Sequence, residues 1–101
     1  MGERIMITNF NEYCIICGKP AELHHVFKGV KHRSLCTEDE LLLPLCPYHH
    51  RGNMSVHQSK EMNVLCQIIG QLAYEKSACA RGCTEEEARR GFMVRYGKSY
   101  L

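Results

Sequence analysis

Two short chelating pairs, Cys14-x-x-Cys17 and Cys46-x-x-His49, constrain this chain more than any other feature in it. Either pair alone holds a metal ion poorly, whereas two pairs separated by a folded insert supply the four donors of a closed tetrahedral zinc site. The spacing therefore predicts a structural Zn²⁺ at Cys14, Cys17, Cys46 and His49. Gly18 permits a tight turn whose amides point at sulfur, and Pro20 closes it. At 101 residues the chain is expected to be one domain, at a size where a hydrophobic core alone leaves a thin margin and metal staples are common. Seven cysteines, an odd number, and no apolar N-terminal run with a cleavage site argue for a reducing compartment and metal ligation rather than a disulfide framework. The expected location is the cytoplasm. Of the other cysteines, Cys79 and Cys83 offer two ligands at most, and free cysteine behaves mainly as a small buried hydrophobe.

A second metal-binding set overlaps the first in sequence. His24, His50 and His57 can supply three nitrogens to a divalent ion that keeps open positions, which is what distinguishes a catalytic ion from a structural one. His25 is adjacent to one of these ligands. In a regular strand it points to the opposite face from His24, which frees it to act as a base. A net charge of +2 identifies no partner. The local cluster of Lys28, Lys31, His32 and Arg33, with Arg51 after the second histidine pair, suits a phosphate-bearing substrate.

Around these motifs the pattern predicts an edge strand or loose arm over residues 1–12 and a short strand from Ala21 to Phe27. In that strand Glu22, His24 and Val26 share one face. A polar, basic loop is expected from Gly29 to Glu40, then a second strand from Leu41 to Leu45, ended or edged by Pro44. A helix should start near Pro47, with His49 and His50 about 100° apart around its axis, so that one faces the cysteines and the other faces His24. Gly52 and Asn53 should end it, leaving His57 on a loop. A longer helix follows from Ser59 to about Ala78, with Met62, Leu65, Ile69 and Leu72 as its apolar stripe and Ile68 and Ala73 beside it. Gly70 in that helix suggests a close contact. Thr84 and Glu87 form a capping box for a last helix ending near Arg95 and Gly97, with Ala88 and Phe92 inward and Met93 a further candidate. The expected fold is thus small α+β: a zinc-stapled ββα core (13–57) and two additional C-terminal helices (58–101). No apolar run approaches the ~18 residues that span a bilayer, so no membrane association is expected. The oligomeric state is left open, because the longer helix can bury its stripe within the chain or against a second copy.

The order Cys-x-x-Cys, His-His-Val, Pro-Leu-Cys-Pro-Tyr-His-His, Val-His resembles the HNH (His-Asn-His, ββα-metal) endonuclease superfamily on a treble-clef zinc scaffold. It is similar in particular to small phage and prophage HNH proteins, and more distantly to RecA-dependent recombination-enhancement nucleases. The short phage proteins also tend to end in a helix followed by a segment like YGKSYL. The resemblance implies that His24, His50 and His57 bind the catalytic ion (Mg²⁺, Mn²⁺, Ni²⁺ or Zn²⁺) and that His25 activates water. Lys28, Lys31, Arg33 and Arg51 would then hold a DNA backbone without reading its sequence. The implied activity is metal-dependent hydrolysis of a DNA phosphodiester in a bacterial host, and the implied partner beside DNA is a recombinase filament or another phage replication or recombination protein. The chain departs from the family pattern in three places. Leu41 stands where an asparagine usually orients the base, His49 replaces the commoner fourth cysteine, and His57 lies farther from His50 than usual. The rival expectation is a zinc-stabilised DNA-binding or assembly module that does not cleave.

Overall fold

A computed structural model describes residues 12–52, 55 and 57–101. It is a small α+β structure in the order β1 (Glu22–His25), α1 (Val30–Asp39), β2 (Leu42–Leu45), α2 (Pro47–Arg51), α3 (Lys60–Ala80) and α4 (Glu85–Tyr96). The two strands pair antiparallel, with Glu22 opposite Leu45, Leu23 opposite Pro44, His24 opposite Leu43 and His25 opposite Leu42. Pro44 gives no amide to the ladder, but its carbonyl accepts the Ile15 amide at 3.0 Å. That bond ties the Cys14–Cys17 turn to β2. Among the described residues no helix is long and apolar enough to cross a membrane. The expected arm over residues 1–12 falls almost wholly outside the described residues, and so does Asn53.

The segment from Gly29 to Glu40, expected as a loop, is instead mostly the helix α1. Its sequence carries no apolar stripe: Cys36 is fully buried and Leu35 packs against the core, while most of its other described side chains are exposed. Gly29 gives no side-chain cap, and the helix stops where Glu40 adopts the left-handed conformation and donates its amide to the Cys36 and Thr37 carbonyls. Tertiary contacts fix this helix. At its C-terminal end Asp39 accepts bonds from Tyr96 Oη and Arg95 Nε, each at 2.6 Å, which lock α1 to α4.

The core centres on Phe27, just past β1. Its ring lies 5.5 Å from Phe92, 4.8 Å from Tyr96 and 5.1 Å from Tyr100 between centroids. Phe92 and Tyr96 are one helical turn apart on α4 and stack at 4.8 Å. The three helix starts read from sequence are present: Pro47 opens α2, Ser59 Oγ accepts the Met62 amide at 3.3 Å, and Thr84 and Glu87 make a reciprocal capping box. Gly97, at φ 91°, ends α4. The tail after it is docked by Gln71, buried on α3, whose side-chain nitrogen donates to Ser99 Oγ at 3.1 Å and whose oxygen accepts the Tyr100 amide at 2.6 Å.

The inward face of α3 is rotated from the expected stripe. Met62, Ile69 and Ala73 do pack on the core, but Leu65 and Leu72 are 49% and 52% exposed, and Cys66, Gly70, Gln71 and Ala78 are the buried positions. Apolar residues cover more than one face of this helix, and the face carrying Gly70 is the one that admits Phe27. Met93 on α4, a further inward candidate, is also 43% exposed. The close contact at Gly70 is real: a Cβ there would meet Val26 Cγ1 at 2.5 Å and the Phe27 ring at 3.2 Å. Alanine normally favours a helix over glycine by about 1 kcal/mol. Here a stiff β-branched neighbour and a packed ring oppose it, and overpacking costs about 1–3 kcal/mol. Gly70→Ala is expected to lower stability by about 1 kcal/mol in urea denaturation; an unchanged or raised midpoint would contradict this packing.

Candidate metal centres

The first centre is assembled by a turn and a helix start. In the turn, Cys14 donates its amide to the Lys19 carbonyl at 2.7 Å and Gly18, at φ 77°, donates to the Cys14 carbonyl at 2.8 Å. Cys46 is the N-cap of α2, Pro47 fills the first helical position where no amide is needed, and His49 follows one turn later. The donor atoms of Cys14, Cys17, Cys46 and His49 all lie within 4.8 Å of one another. The Cys17 and Cys46 sulfurs are 3.6 Å apart, and His49 Nδ1 is 3.6 Å from Cys14 Sγ and 3.3 Å from Cys46 Sγ. Zn–S bonds of about 2.3 Å and a Zn–N bond of about 2.0 Å at tetrahedral angles require edges of about 3.8 Å (S–S) and about 3.5 Å (S–N). The observed edges match to within a few tenths of an ångström. These residues lie close enough to bind a metal such as zinc.

The electrostatics of this centre suit a thiolate ligand. Burial opposes ionisation of the Cys14 thiol, but the Cys46, Cys17 and Ile16 amides outweigh it, and its pKa falls to about 6. For Cys17 the Lys19 amide favours the thiolate, yet loss of solvent and the neighbouring Cys46 and Cys14 raise its pKa. Cys36 and Cys66 are buried but not part of this group, and burial pushes both thiols up, Cys66 to about 11.

His24, His50 and His57 form a second group whose donor atoms also lie within 4.8 Å of one another. Their ring centroids are 4.8–5.2 Å apart. His24 is 4% exposed, and its Nε2 is buried with no hydrogen-bond partner. An unsatisfied buried polar atom costs about 1–3 kcal/mol, so a nitrogen facing two other imidazoles is what an ion-binding site predicts. Burial, followed by the neighbouring His50, His57, His25 and Lys28, depresses the His24 pKa to about 3 and keeps its imidazole in the neutral form that ligates metals. Burial, followed by the neighbouring His50, Lys28 and Arg51, lowers His57 as well.

His50 carries the contact that sequence reasoning missed. Its Nδ1 is 2.6 Å from Glu22 Oε1, which fixes the ring and leaves Nε2 as its ligand atom. Glu22 is clamped by Arg51, with Nη2 2.6 Å from each carboxylate oxygen and Nε 2.9 Å from Oε1. The Arg51 and His50 bonds hold the Glu22 carboxyl below the usual carboxylate range. Strand alternation had already put Glu22 on the face of His24; its bond to α2 had no sequence signal. A depression of about 300 Å³ is lined by His24, His25, His50, His57, Lys28 and Arg33. Lys31 does not line it, and Arg51 is turned onto Glu22. His25, which also lines this depression, reaches α1 with Nε2 3.1 Å from Thr37 Oγ1. Leu41, at the position of the family's asparagine, is fully buried in the core and offers no polar group.

No family model, curated protein or solved structure matches the chain. The resemblance to the HNH superfamily therefore rests on the motif residues themselves.

Two measurements test these centres. Protein purified without added metal is expected to carry one zinc per chain by elemental analysis, and Cys46→Ser to lose it together with much of its helical circular dichroism; full helicity without metal would contradict a structural role. Glu22→Gln, which keeps the shape but not the charge, is expected to weaken Ni²⁺ or Mn²⁺ binding at the histidine group about tenfold or more in calorimetric titration while leaving zinc content unchanged.

Proposed function

We propose that the protein is an HNH-type endonuclease that hydrolyses a DNA phosphodiester, with a treble-clef zinc knuckle as scaffold and a ββα-metal site in the histidine depression. The observation that carries this reading is the buried, partnerless His24 Nε2 facing His50 and His57 in a depression rimmed by Lys28 and Arg33. Three imidazoles are a transition-metal donor set, and the cationic rim matches a phosphate. Held by His24, His50 and His57, a divalent ion would supply positive charge to the phosphate oxygens as negative charge builds on them.

The remaining chemistry belongs to side chains of the chain itself. Lys28 and Arg33 bind the phosphate backbone; Arg51 acts through Glu22 to hold His50. Neutral His25 takes a proton from water while the water oxygen bonds to phosphorus. The phosphorus–oxygen bond on the opposite side breaks, and the leaving oxygen picks up a proton from solvent. Contacts confined to the backbone carry no sequence information, so the expected substrate is DNA without strong base preference.

The test is cleavage of supercoiled plasmid with Mg²⁺, Mn²⁺ or Ni²⁺. His25→Ala is expected to reduce the rate about 10²- to 10⁴-fold with DNA binding and zinc content retained. His24→Ala with His50→Ala should abolish cleavage and the weaker metal site together. A wild type that binds DNA and never cleaves it under any of these ions would identify a zinc-stabilised binding module instead.

A further inference from the structure

The asparagine that would orient the base has no counterpart at Leu41, whose side chain is sealed in the core. Its role requires a polar group on the side of His25 away from the metal ligands, and the structure has one on α1, the helix hidden in the sequence. Thr37 Oγ1 lies 3.1 Å from His25 Nε2 and 3.2 Å from the Arg33 carbonyl, one helical turn back. The hydroxyl has one proton, and in this geometry it donates it to the Arg33 carbonyl. The hydroxyl oxygen is then an acceptor toward His25, which sets the proton of the neutral ring on Nε2. Nδ1 becomes the basic nitrogen.

We propose that Thr37 is the positioning residue of the base, selecting the His25 tautomer and holding its ring against α1. This rests on the reading of His25 as the base of a phosphodiesterase, and it assigns to a helix side chain a task the family gives to a strand asparagine. The anchor itself is well supported: Asp39, two residues on, is bound to both Arg95 and Tyr96, so Thr37 sits on a turn that α4 fixes. A hydroxyl on a fixed helix can restrain an imidazole ring that is itself half exposed at the end of β1.

Thr37→Val keeps the branched shape and removes the acceptor; Thr37→Ser restores it. In plasmid cleavage by the zinc-loaded protein, Thr37→Val is expected to lower kcat between about tenfold and about 100-fold with KM within about twofold of wild type, and Thr37→Ser to recover most of the rate. Nitrogen-15 spectra of the imidazoles supply a readout independent of turnover: wild-type His25 should carry its proton on Nε2. Unchanged kcat in Thr37→Val, or a His25 proton on Nδ1, would overturn the assignment. If the wild type cleaves nothing, the nuclease reading fails, and the spectra alone decide whether Thr37 sets the tautomer.

Discussion

The two centres depend on one angular constraint in α2. Consecutive residues on a helix diverge by about 100°, so His49 and His50 cannot serve the same centre. Cys46 caps this helix and Pro47 starts it, which sets where the divergence falls: His49 joins Cys14, Cys17 and Cys46, and His50 meets His24 on β1. Loss of the first centre would release the start of α2 and, with it, the angle at which His50 approaches β1. The cysteine-containing group and the histidine group are thus mechanically one unit, though they share no residue.

The other wall of the depression is held from the opposite side of the molecule. Phe27 follows β1 directly and is packed by Phe92, Tyr96 and Tyr100. Gly70 lets α3 approach that ring, Gln71 docks the tail that carries Tyr100, and Asp39 ties α1 to α4. The small two-stranded sheet, marginal alone, is therefore clamped between a cysteine turn and an aromatic cluster. Such support is what keeps three imidazoles together around a buried nitrogen that has no protein partner.

What was legible in the sequence was what local chemistry dictates. Ligand spacing within each pair is a covalent constraint, so the Cys14, Cys17, Cys46, His49 group could be read directly. The start at Pro47, the capping box at Thr84 and the close approach at Gly70 each follow from one residue's backbone preference. The opposite directions of His24 and His25 follow from strand alternation. Hidden features depend on distant partners. Helix α1 has no apolar period and no side-chain cap; its ion pairs to α4 cross more than fifty residues. Glu22 reaches His50 across 28 positions. The inward face of α3 was ambiguous because Leu65 and Leu72 read as core as well as Ile69 does, and only the Phe27 contact chooses between them.

Two separate donor groups in so small a domain imply two distinct ions. Anomalous diffraction from Mn²⁺-soaked crystals of the zinc-loaded protein tests it most directly. A zinc peak is expected among Cys14, Cys17, Cys46 and His49, with a separate manganese peak about 2.2 Å from nitrogens of His24, His50 and His57. A zinc peak alone, with the three imidazoles bonded to one another or to water, would contradict it and leave the histidines without a catalytic role.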